Sequence, residues 1–189
     1  MAAPRLGIII CSVREGRVGR PVAEWFESVA QAHGGFELDL IDLADVALPL
    51  LTEPHHPRLR KYTQPTTHAW SDRIDPLDAF VFVSPEYNSG PPPALVNALD
   101  HLFVEWNYKP ATFVSYGGVS GGTRAVQITR QMLITLKMAP IVEAVAIPFV
   151  AKLLEGDPKR FVGGESFDKS ARGLLDELLR WTTALRTLR

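Results

Sequence analysis

The chain has 189 residues, 46% hydrophobic and 22% charged, with 20 Lys+Arg set against 21 Asp+Glu and a formal charge of −1. These are globular proportions; they exclude disordered, collagen-like and disulfide-scaffold classes, and the missing basic excess argues against a nucleic-acid partner. The lone cysteine, Cys11, excludes an internal disulfide and a multi-thiolate metal site.

The length predicts one domain over residues 1–189, enough to bury roughly 70% of the unfolded surface. The apolar run Leu6 to Ile10 is short and is followed at once by Arg14 and Arg17. A membrane span needs about 20 apolar residues and a signal peptide needs a basic start, so the expectation is a cytoplasmic protein without a membrane partner.

The first strand is Arg5 to Cys11, a continuous apolar run of the kind buried on both faces of a parallel sheet. A helix from about Pro21 carries Val22, Trp25, Phe26, Val29 and Ala30 at helical spacing and stops at Gly34-Gly35. Phe36 to Asp42 alternates strictly and suits an edge strand. Residues 43–64, with three prolines and His55-His56, read as a surface loop without metal-ligand spacing. A short helix over 66–74 precedes a third strand, Asp78 to Ser84. The next helix starts at Pro92 or Pro93 and runs through Leu95, Leu99, Leu102 and Phe103. Then come a fourth strand (111–116), a long helix (121–138), a fifth strand (142–147) and a last helix capped by Ser166.

Strand and helix thus alternate about five times. Right-handed crossovers turn that pattern into a doubly wound α/β sheet with helices on both faces. Five strands fit the flavodoxin-like order 2-1-3-4-5, a three-layer sandwich that places its ligand beyond the carboxyl ends of the strands. Function is therefore to be sought in the loops after strands one, three and four.

The first of these, Cys11 to Arg20, offers the Ser12 hydroxyl, the guanidinium groups of Arg14 and Arg17, and close backbone approach at Gly16 and Gly19. Running into a helix N-terminus, it makes an anion cradle, although neither a P-loop nor a GxGxxG turn is present. The second, Ser84 to Pro93, holds Glu86-Tyr87-Asn88 between prolines and suits a flat heteroaromatic ligand read mainly by main chain. The third, Ser115 to Gly122, has four glycines in eight residues, as backbone pressed against a ligand requires. Its Gly118-Val-Ser-Gly-Gly122 matches a G-x-S-x-G nucleophile elbow. All five histidines precede Ser120, so the triad of an α/β-hydrolase cannot be completed in its usual order.

Taken together, Ser12-x-Arg14, Pro85-Glu-Tyr-Asn88, Leu95-Val-Asn-Ala-Leu-Asp100 and Ser115-x-Gly117 with Gly121-Gly122 resemble the NAD(P)H-dependent FMN reductases of the flavodoxin-like superfamily. The resemblance covers about residues 5–150. It implies that Ser12, Arg14, Arg17 and the N–H groups of Val18 and Gly19 bind the FMN phosphate. It implies further that Pro85, Glu86, Tyr87 and Asn88 wrap the ribityl chain and ring, and that Ser115, Gly117 and Gly118 cover the ring's other edge. Hydride would pass from NADPH or NADH to FMN and then to a small-molecule acceptor: a quinone, a nitro or azo compound, or free flavin. No catalytic side chain and no metal are expected, because the cofactor carries the chemistry. A flavin-binding electron carrier without reductase activity is the alternative, disfavoured by the near-neutral charge. Leu102, Phe103, Trp106 and Tyr108, crowded beside the second loop, suggest an interface, and with the family's habit they point to a homodimer or a dimer of dimers.

Overall fold

The computed structural model describes residues 3–189. Its sheet is built from β1 (Arg5–Ile10), β2 (Glu37–Asp42), β3 (Ala79–Pro85), β4 (Pro110–Tyr116) and two short strands, β5 (Ala139–Pro140) and β6 (Val145–Ile147). Every pairing is parallel, in the order β2-β1-β3-β4-β5, with β6 also on β4. This is the flavodoxin-like arrangement expected, with one amendment. The fifth strand is divided: after the Ile141 amide bonds the Ala111 carbonyl at 2.9 Å, residues 142–144 swing into solvent before β6 resumes the ladder.

Alternation along β1 explains the three layers. Leu6, Ile8 and Ile10 point into one core, and Ile9 and Cys11 into the other. On the first face lie α1 (Gly19–His33) and α6 (Glu165–Leu185), through Val22, Phe26, Ala30, Leu174, Leu175 and Leu178. On the second lie α3 (Pro65–Ile74), α4 (Pro93–Asp100) and α5 (Thr123–Thr135), packed over Phe80, Phe82 and Phe113. Burying each of these Val, Leu and Phe side chains stabilises the fold by about 1.5–3 kcal/mol. A four-residue α2 (Leu43–Val46) follows β2, and a two-stranded antiparallel pair, β7 (Leu154–Glu155) with β8 (Arg160–Phe161), precedes α6.

Several boundaries differ from the sequence reading. The helix begun at Pro93 ends at Asp100, so Leu102, Phe103 and Trp106 turn into the second core rather than outward. That aromatic cluster is interior packing; only Tyr108 of the group is exposed. The last helix is capped by Gly164, not Ser166, with Glu165 and Asp168 in its first turn to meet the helix dipole. Residues 43–64 contain α2 and a 3-10 turn at Pro57–Leu59, and they are firmly tied down. Tyr62 donates to the buried Glu105 carboxylate at 2.9 Å, and the Glu53 carboxylate accepts from the Thr63 and Gln64 amides at the head of α3.

Candidate functional site

Register brings the three expected loops to one edge: Ile10 lies beside Val83, Ser84 beside Ser115, and Pro85 beside Tyr116. The first loop leaves β1 at Cys11, whose thiol is fully buried, pushed up by that burial, and bonded to the Ile9 carbonyl. A turn closed by the Arg17 amide on the Arg14 carbonyl (3.3 Å), with Gly16 at φ 66°, leads into α1. The N-cap of α1 is Val18, which has no side-chain acceptor, and no acidic residue occupies the first turn. The helix therefore meets the loop with amides and positive dipole unanswered by its own chain, as an anion site requires.

Side chains of this loop divide into two groups. Arg14 is exposed at the cavity wall, and Val18 lines it. Arg17 instead joins Arg20 on a single oxygen of the buried Asp42 carboxylate, each at 2.7 Å. Ser12 turns inward and accepts a hydrogen bond from the Tyr116 hydroxyl at 3.0 Å; burial pushes that phenol up, so it stays a donor. Gly19 is needed for space, since a Cβ there would lie 2.5 Å from Ser12 Oγ and 2.7 Å from Tyr116 Oη.

The second loop folds back on itself. Tyr87 and Gly90 exchange both amide–carbonyl bonds at 2.9 Å around Asn88 and Ser89, which take φ of 50° and 68°. This two-residue turn sets the Tyr87 ring, half-buried, at the cavity wall. Glu86 does not reach into the cavity as a free carboxylate. It accepts from Ser120 Oγ at 3.0 Å, from the Arg124 amide at 3.1 Å and from Arg124 Nε at 2.6 Å. Burial alone would raise its pKa, but these donors outweigh it and hold the carboxyl below its ordinary value.

In the third loop the left-handed glycines are Gly121 and Gly122, at φ 60° and 84°, not Gly117 and Gly118. Ser115 donates to the Gly121 carbonyl at 2.8 Å and so points away from the cavity, while Gly117 lines it and Gly118 stands open to solvent. Ser120, bonded to Glu86, has no histidine beside it: His33, His68 and His101 bond to Asp176, the Tyr62 carbonyl and Thr67. The nucleophile-elbow match is a coincidence of glycine-rich sequence.

The cavity enclosed by these loops has a volume of about 510 Å³, inside the range of roughly 300–1,000 Å³ usual for a cofactor site. Arg14, Val18, Pro85, Glu86, Tyr87, Asn88 and Gly117, all among the residues expected at the cofactor, line it together with Tyr116 and Val150. Tyr116 ends β4, which carries its ring to the cavity. Val150 lies beyond the fifth strand, where the segment returns to bond the third loop: the Phe149 amide donates to the Gly118 carbonyl (2.9 Å) and the Val150 amide to that of Gly117 (3.2 Å). An anion-seeking helix end at one side, an aromatic ring and a main-chain turn at the other, and backbone without side chain between them fit FMN.

Residues 4–152 match the family model described as NADPH-dependent FMN reductase. The chain belongs to this family. As a member it is an oxidoreductase that uses FMN and NAD(P)H. Among curated relatives, it is 39% identical over 148 residues to an NAD(P)H-dependent FMN reductase of Schizosaccharomyces pombe, covering 77% of this chain and 74% of that one. It is 31% identical over 140 residues to a quinone reductase of Pseudomonas putida, covering 70% and 71%. The FMN-reductase fold agrees with that of FerB, a flavoenzyme NAD(P)H:(acceptor) oxidoreductase from Paracoccus denitrificans, at a TM-score of 0.74, 20% identity and coverage of 96% and 98%.

Proposed function

We propose that this enzyme binds FMN in the cavity between the three loops and reduces quinones or related small acceptors at NAD(P)H expense. The observation that carries the assignment is the junction of Arg14 with the uncapped α1 N-terminus beside the Tyr87 turn. Arg14 and the α1 amides receive the phosphate, with Val18 and Gly19 giving main-chain contact. Pro85, Tyr87, Asn88 and the Glu86 main chain hold the ribityl chain and one ring edge, and Gly117 and Gly118 admit the other. Ser12 and Ser115 support the site from behind. When bound, FMN supplies the chemistry of taking a hydride from the nicotinamide and giving two electrons to the acceptor. The chain's own residues bind, orient and shield it, so no general acid or nucleophile is assigned. Quinone as acceptor is supported by the quinone reductase relatives.

The same reading extends to one domain over 1–189, supported by two cores that share a single sheet. A homodimer or dimer of dimers is supported by apolar surface near the site: Leu50, 78% exposed, and a hollow lined by Val13, Leu43, Ala47, Leu48 and Ala94. A cytoplasmic location is supported by the single cysteine, which is buried as a small hydrophobe and asks for no oxidising compartment.

The decisive experiment uses the purified protein. Its visible spectrum should show a flavin, the released cofactor should have the mass of FMN, and NADPH or NADH should bleach it anaerobically until a quinone is added. A protein that neither carries nor binds FMN would overturn the reading.

A further inference from the structure

Glu86 stands in the second loop, yet every bond of its carboxylate goes to the third loop or to the helix behind it. Its side chain is 6% exposed, whereas its partner Arg124 is 58% exposed. Four donor groups converge on it: the Ser120 hydroxyl, the Arg124 amide, Arg124 Nε and the terminal Arg124 guanidinium nitrogen. The Arg124 amide is the second of α5, whose own N-cap, Gly122, has no side chain to offer. A carboxylate 38 residues away in sequence therefore caps this helix. Gly117 and Gly118 hang between Ser115 and this cap and are held from the far side by the Phe149 and Val150 amides, so the bonds at Glu86 anchor one end of the segment they stand in.

Charge gives the pair a second role. Of the residues lining the cavity only Arg14 and Glu86 are charged, and the FMN reading gives Arg14 to the phosphate. An unpaired carboxylate in that wall would oppose the negative charge that a flavin gains on reduction. An unpaired Arg124 beside the positive end of α5 would favour it. Joined, the two cancel.

We propose that Glu86 and Arg124 form a neutral clamp that holds the third loop against the FMN cavity and sets the redox poise of the bound flavin, with Glu86 as a positioning residue. The proposal rests on the FMN reading above. Electrostatics and positioning make separable demands, and three variants measure both. In E86Q the clamp loses its negative charge and keeps the arginine, so the two-electron potential of bound FMN should rise. In R124A the carboxylate is left alone, so the potential should fall. In the double variant both charges are gone and the potential should return close to wild type. All three should bind FMN roughly tenfold more weakly by flavin fluorescence titration, and the double variant should be no weaker than the weaker single, because each substitution breaks the same clamp. A loosened loop without an electrostatic role would move both single variants in the same direction.

Thermal melts control for folding. If E86Q does not fold, the fall in potential and affinity in R124A, together with wild-type potential in E86D, carries the test. Potentials that shift in the same sense or not at all, or FMN affinities equal to wild type in both single variants, would refute the clamp while leaving the FMN site standing. Failure of the wild-type protein to bind FMN would instead remove the reading beneath it.

Discussion

Replacing Arg14 by alanine isolates the phosphate side of the site. Two arginines stand in the first loop, and geometry assigns them different work. Arg14 is exposed at the cavity wall, whereas Arg17 is held on the buried Asp42 carboxylate at 2.7 Å. A hydrogen bond to a charged group is worth about 1.5–3 kcal/mol, which at about 1.4 kcal/mol per decade is a factor of roughly 10 to 150 in FMN affinity. Because Arg14 is open to solvent and screened by salt, the lower part of that range is expected, and it should shrink further as ionic strength rises. The assay is titration of apoprotein with FMN and with riboflavin, which lacks the phosphate. R14A should weaken FMN and leave riboflavin within about twofold, a difference that belongs to the missing charged contact. R17A should act mainly on folding: Asp42 keeps Arg20, so the loss is about 1–2 kcal/mol, or about 2–8 °C in Tm for a chain of this size. Equal losses for FMN and riboflavin in R14A, or a larger FMN loss in R17A than in R14A, would refute the division of labour.

Other outcomes follow from single contacts. Gly19→Ala places a Cβ against the buried Ser12–Tyr116 pair and should cost about 1–3 kcal/mol, read as a lower denaturant midpoint with an unchanged slope. Gly122→Ala should destabilise by at least as much, being at φ 84° with backbone 3.0 Å away, whereas Gly118→Ala meets nothing within 4 Å and should melt with wild type. The Glu53 carboxyl works against partial burial yet is held down to about 2 by the Gln64 and Thr63 amides. Its ordinary value is 4.5, so it stabilises the fold above that pH and the contribution is lost as pH falls through about 2. E53Q should therefore be less stable than wild type at pH 7 and show a shallower loss between pH 4.5 and 2; parallel stability curves would count against the cap.

Much of this architecture was legible because local chemistry and global packing agree. The β1 run, Phe36 to Asp42 as an edge strand and the Gly34 stop of α1 each follow from side-chain period or turn chemistry. The three loops could be singled out because a parallel sheet puts its ligand at the carboxyl ends of its strands. Other features depend on distances that sequence does not encode. Arg14 and Arg17 are chemically alike, and only the proximity of Asp42, at the end of another strand, separates them. Ser12 and Ser115 are polar and sit in the right loops, yet partners at Tyr116 and Gly121 turn them inward. Val150 is an ordinary valine until the chain returns to bond Gly117. The aromatic segment from Leu102 to Trp106 reads as surface if the helix continues, and becomes core once the helix stops at Asp100.

The division of the fifth strand has a consequence for how copies of this chain meet in a crowded solution. An open sheet ends in rows of amides and carbonyls that can recruit a foreign strand and seed cross-β association. Here the far edge offers only a two-residue and a three-residue stretch, separated by residues that leave the ladder, and Pro140 in the first has no amide to offer a second chain. The opposite edge, β2, carries Glu37 and Asp39, engaged by Arg5 and Arg73. Both margins thus resist templating, one by interruption and the other by charge, and the strongly apolar strands between them stay out of reach of a second chain while the fold is intact.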